Sequence, residues 1–161
     1  MSGDVRPGPL VRRLVSGGQT GVDRAALDAA ISLGIPCGGW CPRGRRAEAA
    51  PIPDRYPLQE TPTAAYPERT AWNVRDSDGT LVLTRGAPRG GTALTVRLAR
   101  RARKPVLVVD LDVGGVRGDV EAWLAHEAIG TLNVAGPRES EAPGIHAQAL
   151  AFLVGLLGPR G

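Results

Sequence analysis

The chain has 161 residues, 42% hydrophobic, 22% charged and only 4% aromatic. That is the balance of one ordinary globular domain, large enough to bury a core of Val, Leu, Ile and Ala without disulfides or a structural metal. The formal charge of +4 and the pI of about 9.8 are carried almost wholly by arginine, Lys104 being the only lysine. We read this total as a compositional habit more than the mark of a polyanionic partner, so the positions of single arginines carry more information.

No run reaches the roughly eighteen apolar residues of a membrane span, and the N-terminal MSGDVRPGPLVRR lacks an apolar signal-type stretch. With just two cysteines, Cys37 and Cys41, the expectation is a cytoplasmic protein without a membrane partner. Residues 1–9, with two prolines and two glycines, read as a flexible tail. Residues 10–161 read as a single ligand-binding domain.

Residues 10–16 (LVRRLVS) read as a first strand running into GGQTG. Residues 22–33 follow as a helix, with Val22, Ala26, Ala29, Ala30 and Leu33 on one face. Gly34 stands where a C-terminal cap belongs, and Pro36 forbids continuation. Residues 35–41 (IPCGGWC) make a weaker strand, and residues 42–56 a long polar loop. Residues 64–75 predict a helix broken near Pro67, with Glu68, Arg69 and Asn73 on its polar face. Residues 76–79 (DSDG) are a turn shaped by Asp76 and Asp78.

Residues 80–84 (TLVLT) predict a buried strand, and residues 92–103 a helix with Leu94 and Leu98 inward. Residues 106–110 (VLVVD) read as the central strand of a parallel sheet covered on both faces. A helix over 118–128 with Val120, Trp123 and Leu124 inward, a strand over 131–135 and a final helix over 144–157 complete the chain. Alternating strands and helices predict an α/β three-layer Rossmann-like sandwich, with a mostly parallel, doubly wound sheet in a single domain.

The segment SGGQTGVDRAAL, residues 16–27, joins strand, glycine turn and helix. The first turn of a helix offers unpaired N–H groups and partial positive charge, and Gly17, Gly18 and Gly21 allow close approach to the backbone. This is the order an anion site requires. Thr20 has two compatible readings, a helix cap or a hydroxyl donor to phosphate, and Arg24 adds a charge-assisted donor. The turn is neither a P-loop, lacking its lysine, nor the dinucleotide GxGxxG.

Three more loops belong at the same sheet edge, where open α/β sheets bind ligands. One carries Arg43, Arg45 and Arg46. A second pairs Gly90 and Gly91 with a helix start at Thr92. A third bears Arg138, Glu139 and Ser140. Together they predict a site for a phosphorylated, anionic small molecule.

The blocks SGGQTGVDRAALDAA, GGWCPRGRRAE, WNVRDSDGTL, the GGT turn and NVAGPRES resemble the putative molybdenum carrier family, a circularly permuted branch of the nucleotide-sensing superfamily that includes the lysine-decarboxylase-like phosphoribohydrolases. The resemblance implies a Rossmann-like fold and a pocket for a nucleotide-like or pterin-type phosphorylated ligand. It further implies molybdenum cofactor or molybdate as carried ligand, and assembly as a homo-oligomer, dimer or tetramer, with molybdoenzymes as recipients. It places the ligand at Gly17, Gly18, Gln19, Thr20 and Gly21, at Arg43, Arg45 and Arg46, at Gly90, Gly91 and Thr92, and at Arg138, Glu139 and Ser140.

One departure bears on catalysis. The phosphoribohydrolases carry PGGxGTxxE, and the nearest match here, PRGGTALT, has Thr95 in the glutamate position. Threonine is no carboxylate base. The reading therefore leans to a carrier without catalysis, with a nucleotide sensor or a nucleoside-monophosphate phosphoribohydrolase as the alternative.

Cys37 and Cys41 lack partners for a structural zinc, and burial is the better reading for both over a thiolate contact from Cys41 to molybdenum. Trp40 and Trp72 read as core residues more than as stacking platforms. Arg97, Arg100, Arg101 and Arg103 form a basic helical face without aromatic interleaving, which reads as solvated and not as a nucleic-acid surface.

Overall fold

The computed structural model describes residues 10–159; the tail expected over residues 1–9 lies outside them. Strand β1 (Arg13–Val15) leads into helix α1 (Val22–Leu33), then β2 (Cys37–Gly38), β3 (Trp40–Cys41) and β4 (Gln59–Glu60). Helix α2 (Tyr66–Arg75), β5 (Gly79–Thr84), α3 (Gly90–Arg101), β6 (Val106–Asp110), α4 (Arg117–His126), β7 (Thr131–Ala135) and α5 (Ile145–Leu157) follow.

Five strands form one sheet in the order β2-β1-β7-β5-β6, every pairing parallel. The last strand, β7, lies between the first and β5. Helices α1, α5 and α4 form one layer and α2 with α3 the other. This is the three-layer Rossmann-like sandwich the alternating elements predict. Ala25, Ala26, Ala29 and Ala30, all fully buried, let α1 lie close against α5.

Four local expectations are corrected. Residues 106–110 do not form a central strand: β6 pairs only with β5 and lies at the sheet edge, half-buried for most of its length. An apolar run reports that both faces are covered, not how many neighbours a strand has. Every residue of β5 is buried, and it is β5 and β7 that are central.

The segment 35–41 divides at Gly39. Its φ of 131° breaks the strand, and a Cβ there would stand 2.3 Å from the Ser16 carbonyl. β2 joins the main sheet while β3 pairs with β4 in a separate two-stranded ribbon.

Helix α2 is continuous. Pro67 falls in its first turn, where a missing N–H costs nothing. In α3 the inward residues are Thr92, Thr95, Val96 and Ala99, with Leu94 and Leu98 only half-buried. The Thr95 hydroxyl is satisfied within the helix by donating to the Gly91 carbonyl at 3.0 Å.

The long loop after β3 is held down from both sides. Ile52 and Tyr56 join Leu27 and Cys41 in a second hydrophobic cluster under α1. Above it, the Arg45 guanidinium donates to the carbonyls of Ile52 (2.8 Å), Pro53 (2.7 Å), Tyr56 (2.9 Å) and Leu58 (3.4 Å). The Asp76–Gly79 turn is tied in by Asp78, which accepts N–H bonds from Gly130 and Thr131.

Candidate functional site

A cleft of about 210 Å³ opens at the carboxyl ends of β1, β7 and β5. Its walls come from four segments. Gln19 and Asp23 stand at the start of α1; Tyr66, Arg69 and Thr70 project from α2. Gly91, Thr92, Leu94 and Thr95 belong to the first turns of α3, Ala135 ends β7, and Gly136, Arg138 and Glu141 belong to the loop that follows it. A narrow extension of about 10 Å³ shares Asp23, Arg69, Thr70, Thr95 and Ala135 and reaches Gly17, Asn73 and Asn133. The two glycine bends singled out in the sequence therefore serve one hollow, and Arg138 joins them.

The two bends differ in what they leave open. At the first, the glycines accommodate the protein itself. A Cβ at Gly17 would stand 1.5 Å from an Arg69 guanidinium nitrogen, and one at Gly21, whose φ is +80°, 2.3 Å from the Pro137 carbonyl. The Val22 N–H donates to Pro137 O (3.2 Å), and the Gln19 N–H donates to Asp23 Oδ2 (3.2 Å). What this bend presents to the cleft is the side chains of Gln19 and Asp23.

At the second bend the Arg89 carbonyl takes the N–H groups of Thr92 (3.0 Å) and Ala93 (3.2 Å), which leaves those of Gly90 and Gly91 open. Arg89 occupies the N-cap position of α3 without a side-chain cap, and no acidic residue stands in the first turn. A Cβ at Gly90 or Gly91 would meet nothing within 4 Å. A twelve-residue helix thus offers its positive end, bare, to the cleft.

Asp23 and Arg69 form a buried ion pair at 3.1 Å on the cleft wall, with side chains 5% and 14% exposed. Burial pushes the Asp23 carboxyl up, and Arg69 opposes that rise by its charge and its hydrogen bond. Tyr66 lines the cleft with guanidinium groups near its ring, Arg46 at 4.6 Å and Arg69 at 5.7 Å from the centroid.

Thr20 does not line the cleft; its hydroxyl donates to Glu48 and accepts from the Glu139 N–H at 3.1 Å. Ser140 donates its hydroxyl to the same Glu48 carboxylate. These two hydroxyl bonds, Ser140's the larger influence, hold the Glu48 carboxyl below its ordinary value. Arg24 donates to the Gly18 carbonyl at 3.0 Å. The Glu139 carboxylate accepts the N–H groups of Gly144 and His146, at the start of α5. Arg45 is occupied with its four carbonyls, Arg43 is exposed, and Arg46 lies against Tyr66 while its carbonyl accepts from Gln19 Nε2 at 2.8 Å.

Tyr66, Arg69, Thr70 and Asp23 were not among the residues the sequence pointed to as ligand-facing. The available signal was Arg69 on the polar face of a helix and Asp23 in the first turn of another. Nothing local says that residues 46 apart meet. Trp40 and Trp72 pack edge to face, 4.7 Å between centroids, outside the cleft. Cys41 lies in the second hydrophobic cluster, where burial pushes its thiol up. Among the described residues no group of three or more His, Cys, Asp or Glu could hold a metal ion, and no helix is long and apolar enough to cross a membrane. A larger, open depression of about 690 Å³ lies at the opposite end of α1, around Leu33, Arg117 and Gly155, away from the strand ends.

A parallel five-stranded sheet with helices on both sides and a polar cleft over its carboxyl edge defines a Rossmann-like, single-domain α/β protein. The position of β7 between β1 and β5 gives it an unusual chain order for that class. The chain belongs to the Circularly permutated YpsA SLOG family, which it matches over residues 14–157. It is also similar to the crystal structure of a putative molybdenum carrier protein from Syntrophus aciditrophicus SB. The two are 44% identical over 93% of this chain and 96% of that one, with a TM-score of 0.88. Comparison with curated proteins returned no match.

Proposed function

We propose that this protein holds an anionic small molecule in the cleft, as a carrier or sensor and not as a catalyst. The oxyanion lies at the first turn of α3, against the N–H groups of Gly90 and Gly91, with Arg138 beside it. The observation that carries this reading is an uncapped, unobstructed helix N-terminus on the same cleft as the Arg138 guanidinium. The name of the similar protein supports a molybdenum-related cargo, either molybdenum cofactor or a molybdenum oxyanion. On this reading the protein is cytoplasmic, works as a dimer or tetramer, and passes its cargo to molybdoenzymes. Melting curves of the purified chain against pterin phosphates, nucleotides and molybdate test it. A rise in melting temperature with at least one of these is expected, and flat curves across the panel would overturn it.

One observation favours a second reading, hydrolysis of a nucleoside monophosphate. Thr95 lines the cleft and is no base, but Asp23 puts a carboxylate on the same wall. Its engagement by Arg69 and by the Gln19 N–H speaks for a structural charge. Release of free base from a nucleoside monophosphate, abolished by Asp23→Asn, would establish the alternative.

A further inference from the structure

Helices α1, α2, α3 and α4 each carry three residues of Asp, Glu or Arg. Helix α5, IHAQALAFLVGLL, carries none. Yet it is an outer helix, and Ala147, Ala151 and Val154 face solvent along one side of it. A helix that is apolar all round is ordinarily covered all round.

Its neighbours extend this face. Helix α5 packs against α1 and touches α4. Ile31 on α1 is 51% exposed and Val154 37%; with Val113 they are the exposed large hydrophobic residues among those described. The open depression of about 690 Å³ lies here, with Leu33, Val154 and Gly155 on one part of its lining and Arg117 and Glu121 on another. A Cβ on Gly155 would meet only Arg117 Nη1, at 3.7 Å. The backbone there does not require glycine, and the missing side chain leaves the hollow open.

We propose that this face is an interface between two copies of the chain, with α5 packed on α5 of the second copy about a two-fold axis. Its features choose a second copy over another partner. Ala147 and Ala151, four residues apart, let two like helices approach closely. The face holds both a knob, Ile31, and a hollow beside Val154, and a two-fold axis matches each to the other twice. On the α4 border Arg117 and Glu121 form an ion pair at 3.3 Å, so a second copy meets both signs and no net charge. The size suffices. Helix α5 is about 20 Å long at about 1.5 Å per residue, and three helices about 8–10 Å apart span about 25 Å. That is about 500 Å² on each copy and about 1,000 Å² in total, the area at which specific interfaces begin.

The cleft stays open in such a pair, because its walls come from the start of α1, from α2 and α3, and from β7 and the loop that follows it. The interface gives the assembly included in the reading above its surface, and it does not depend on what the cleft holds.

The test is sedimentation velocity of the full chain, beside circular dichroism of every variant. At about 10 μM the unaltered chain is expected to sediment as a dimer or tetramer. Ala151→Arg places its charge in water in a single copy but buries it unpaired between two, so association should weaken by about a hundredfold or more. The species should fall by one step, dimer to monomer or tetramer to dimer. Gly155→Trp, which fills the hollow, should do the same by shape alone. Arg97→Glu, on the exposed side of α3 in the opposite layer, should leave association unchanged. An unaltered chain that is monomeric at about 100 μM overturns the interface and the expected oligomer together, and leaves the anion reading standing. An oligomer that survives both Ala151→Arg and Gly155→Trp overturns the interface alone.

Discussion

Arg69 reaches Asp23 across the bare face of Gly17, meeting its carboxylate at 3.1 Å in the space a Cβ would need. Three residues from three segments thus fix one wall of the cleft. Removing one partner of a buried pair leaves an uncompensated charge, so Arg69→Met is expected to cost about 3–5 kcal/mol at pH 7. Without Arg69 the Asp23 carboxyl rises further above 3.8. A raised folded-state value means the folded variant holds its proton more tightly than the unfolded chain. The loss is therefore fully present above that raised value and shrinks as pH falls toward 3.8. Gly17→Ala should act the same way, by displacing the guanidinium. The double variant Asp23→Leu/Arg69→Met should recover most of the loss. Urea unfolding at pH 7 and at successively lower pH down to about 3.8 checks all three, and a loss that stays constant over that range would contradict the account.

The Arg138 guanidinium is hydrogen-bonded to Glu141, at 2.7 Å, with both side chains about 40% exposed. An exposed pair of this kind contributes little, so Arg138→Ala should leave stability within about 0.5 kcal/mol. A charge-assisted bond to a bound oxyanion is worth more, and affinity for the best-binding phosphorylated probe should fall about tenfold. Calorimetry beside thermal melts separates the two effects. Unchanged affinity would remove Arg138 from the site.

Arg45 should behave in the opposite way. Its guanidinium is largely buried and serves four carbonyls of the chain's own loop. Arg45→Ala is expected to destabilise by about 2–4 kcal/mol and to change probe affinity by no more than about twofold at temperatures where the variant is folded. A selective loss of affinity at unchanged stability would instead make Arg45 a ligand contact.

Glu48 gives a pH-dependent signal through its bonds to Thr20 and Ser140. Its carboxyl is lowered from 4.5 by the Ser140 and Thr20 hydroxyls. The contact is therefore complete above 4.5 and is lost as pH falls through the depressed value. The Ser140 N–H also donates to this carboxylate, at 3.4 Å, so its amide resonance should titrate with a midpoint below 4.5. Glu48→Gln should abolish that titration. A midpoint at or above 4.5 would mean the contact does not persist in solution.

Much of the scaffold is legible in the sequence because it depends on local signals. Helix α1 follows from apolar spacing and from Gly34 as its left-handed cap; β7 is matched residue for residue. What local pattern does not encode is neighbourhood. The insertion of β7 between β1 and β5 depends on pairing residues far apart in sequence, and so does the edge position of β6. The cleft divides along the same line. Glycine-to-helix junctions are visible as motifs, but whether a ligand or the protein's own chain fills each is decided by segments such as Pro137 and Arg69, 116 and 52 residues beyond the glycines they face. Tyr66 and Asp23 line the cleft because α2 and α1 converge there, a fact of packing and not of motif.

The central claim, that an oxyanion is held at the start of α3, is tested most directly by following backbone amide resonances while GMP is added. The account predicts saturable shifts of the Gly90 and Gly91 amides, reduced in Arg138→Ala. Saturable shifts confined to residues around Arg117 and Gly155, with the α3 amides unmoved, would contradict it.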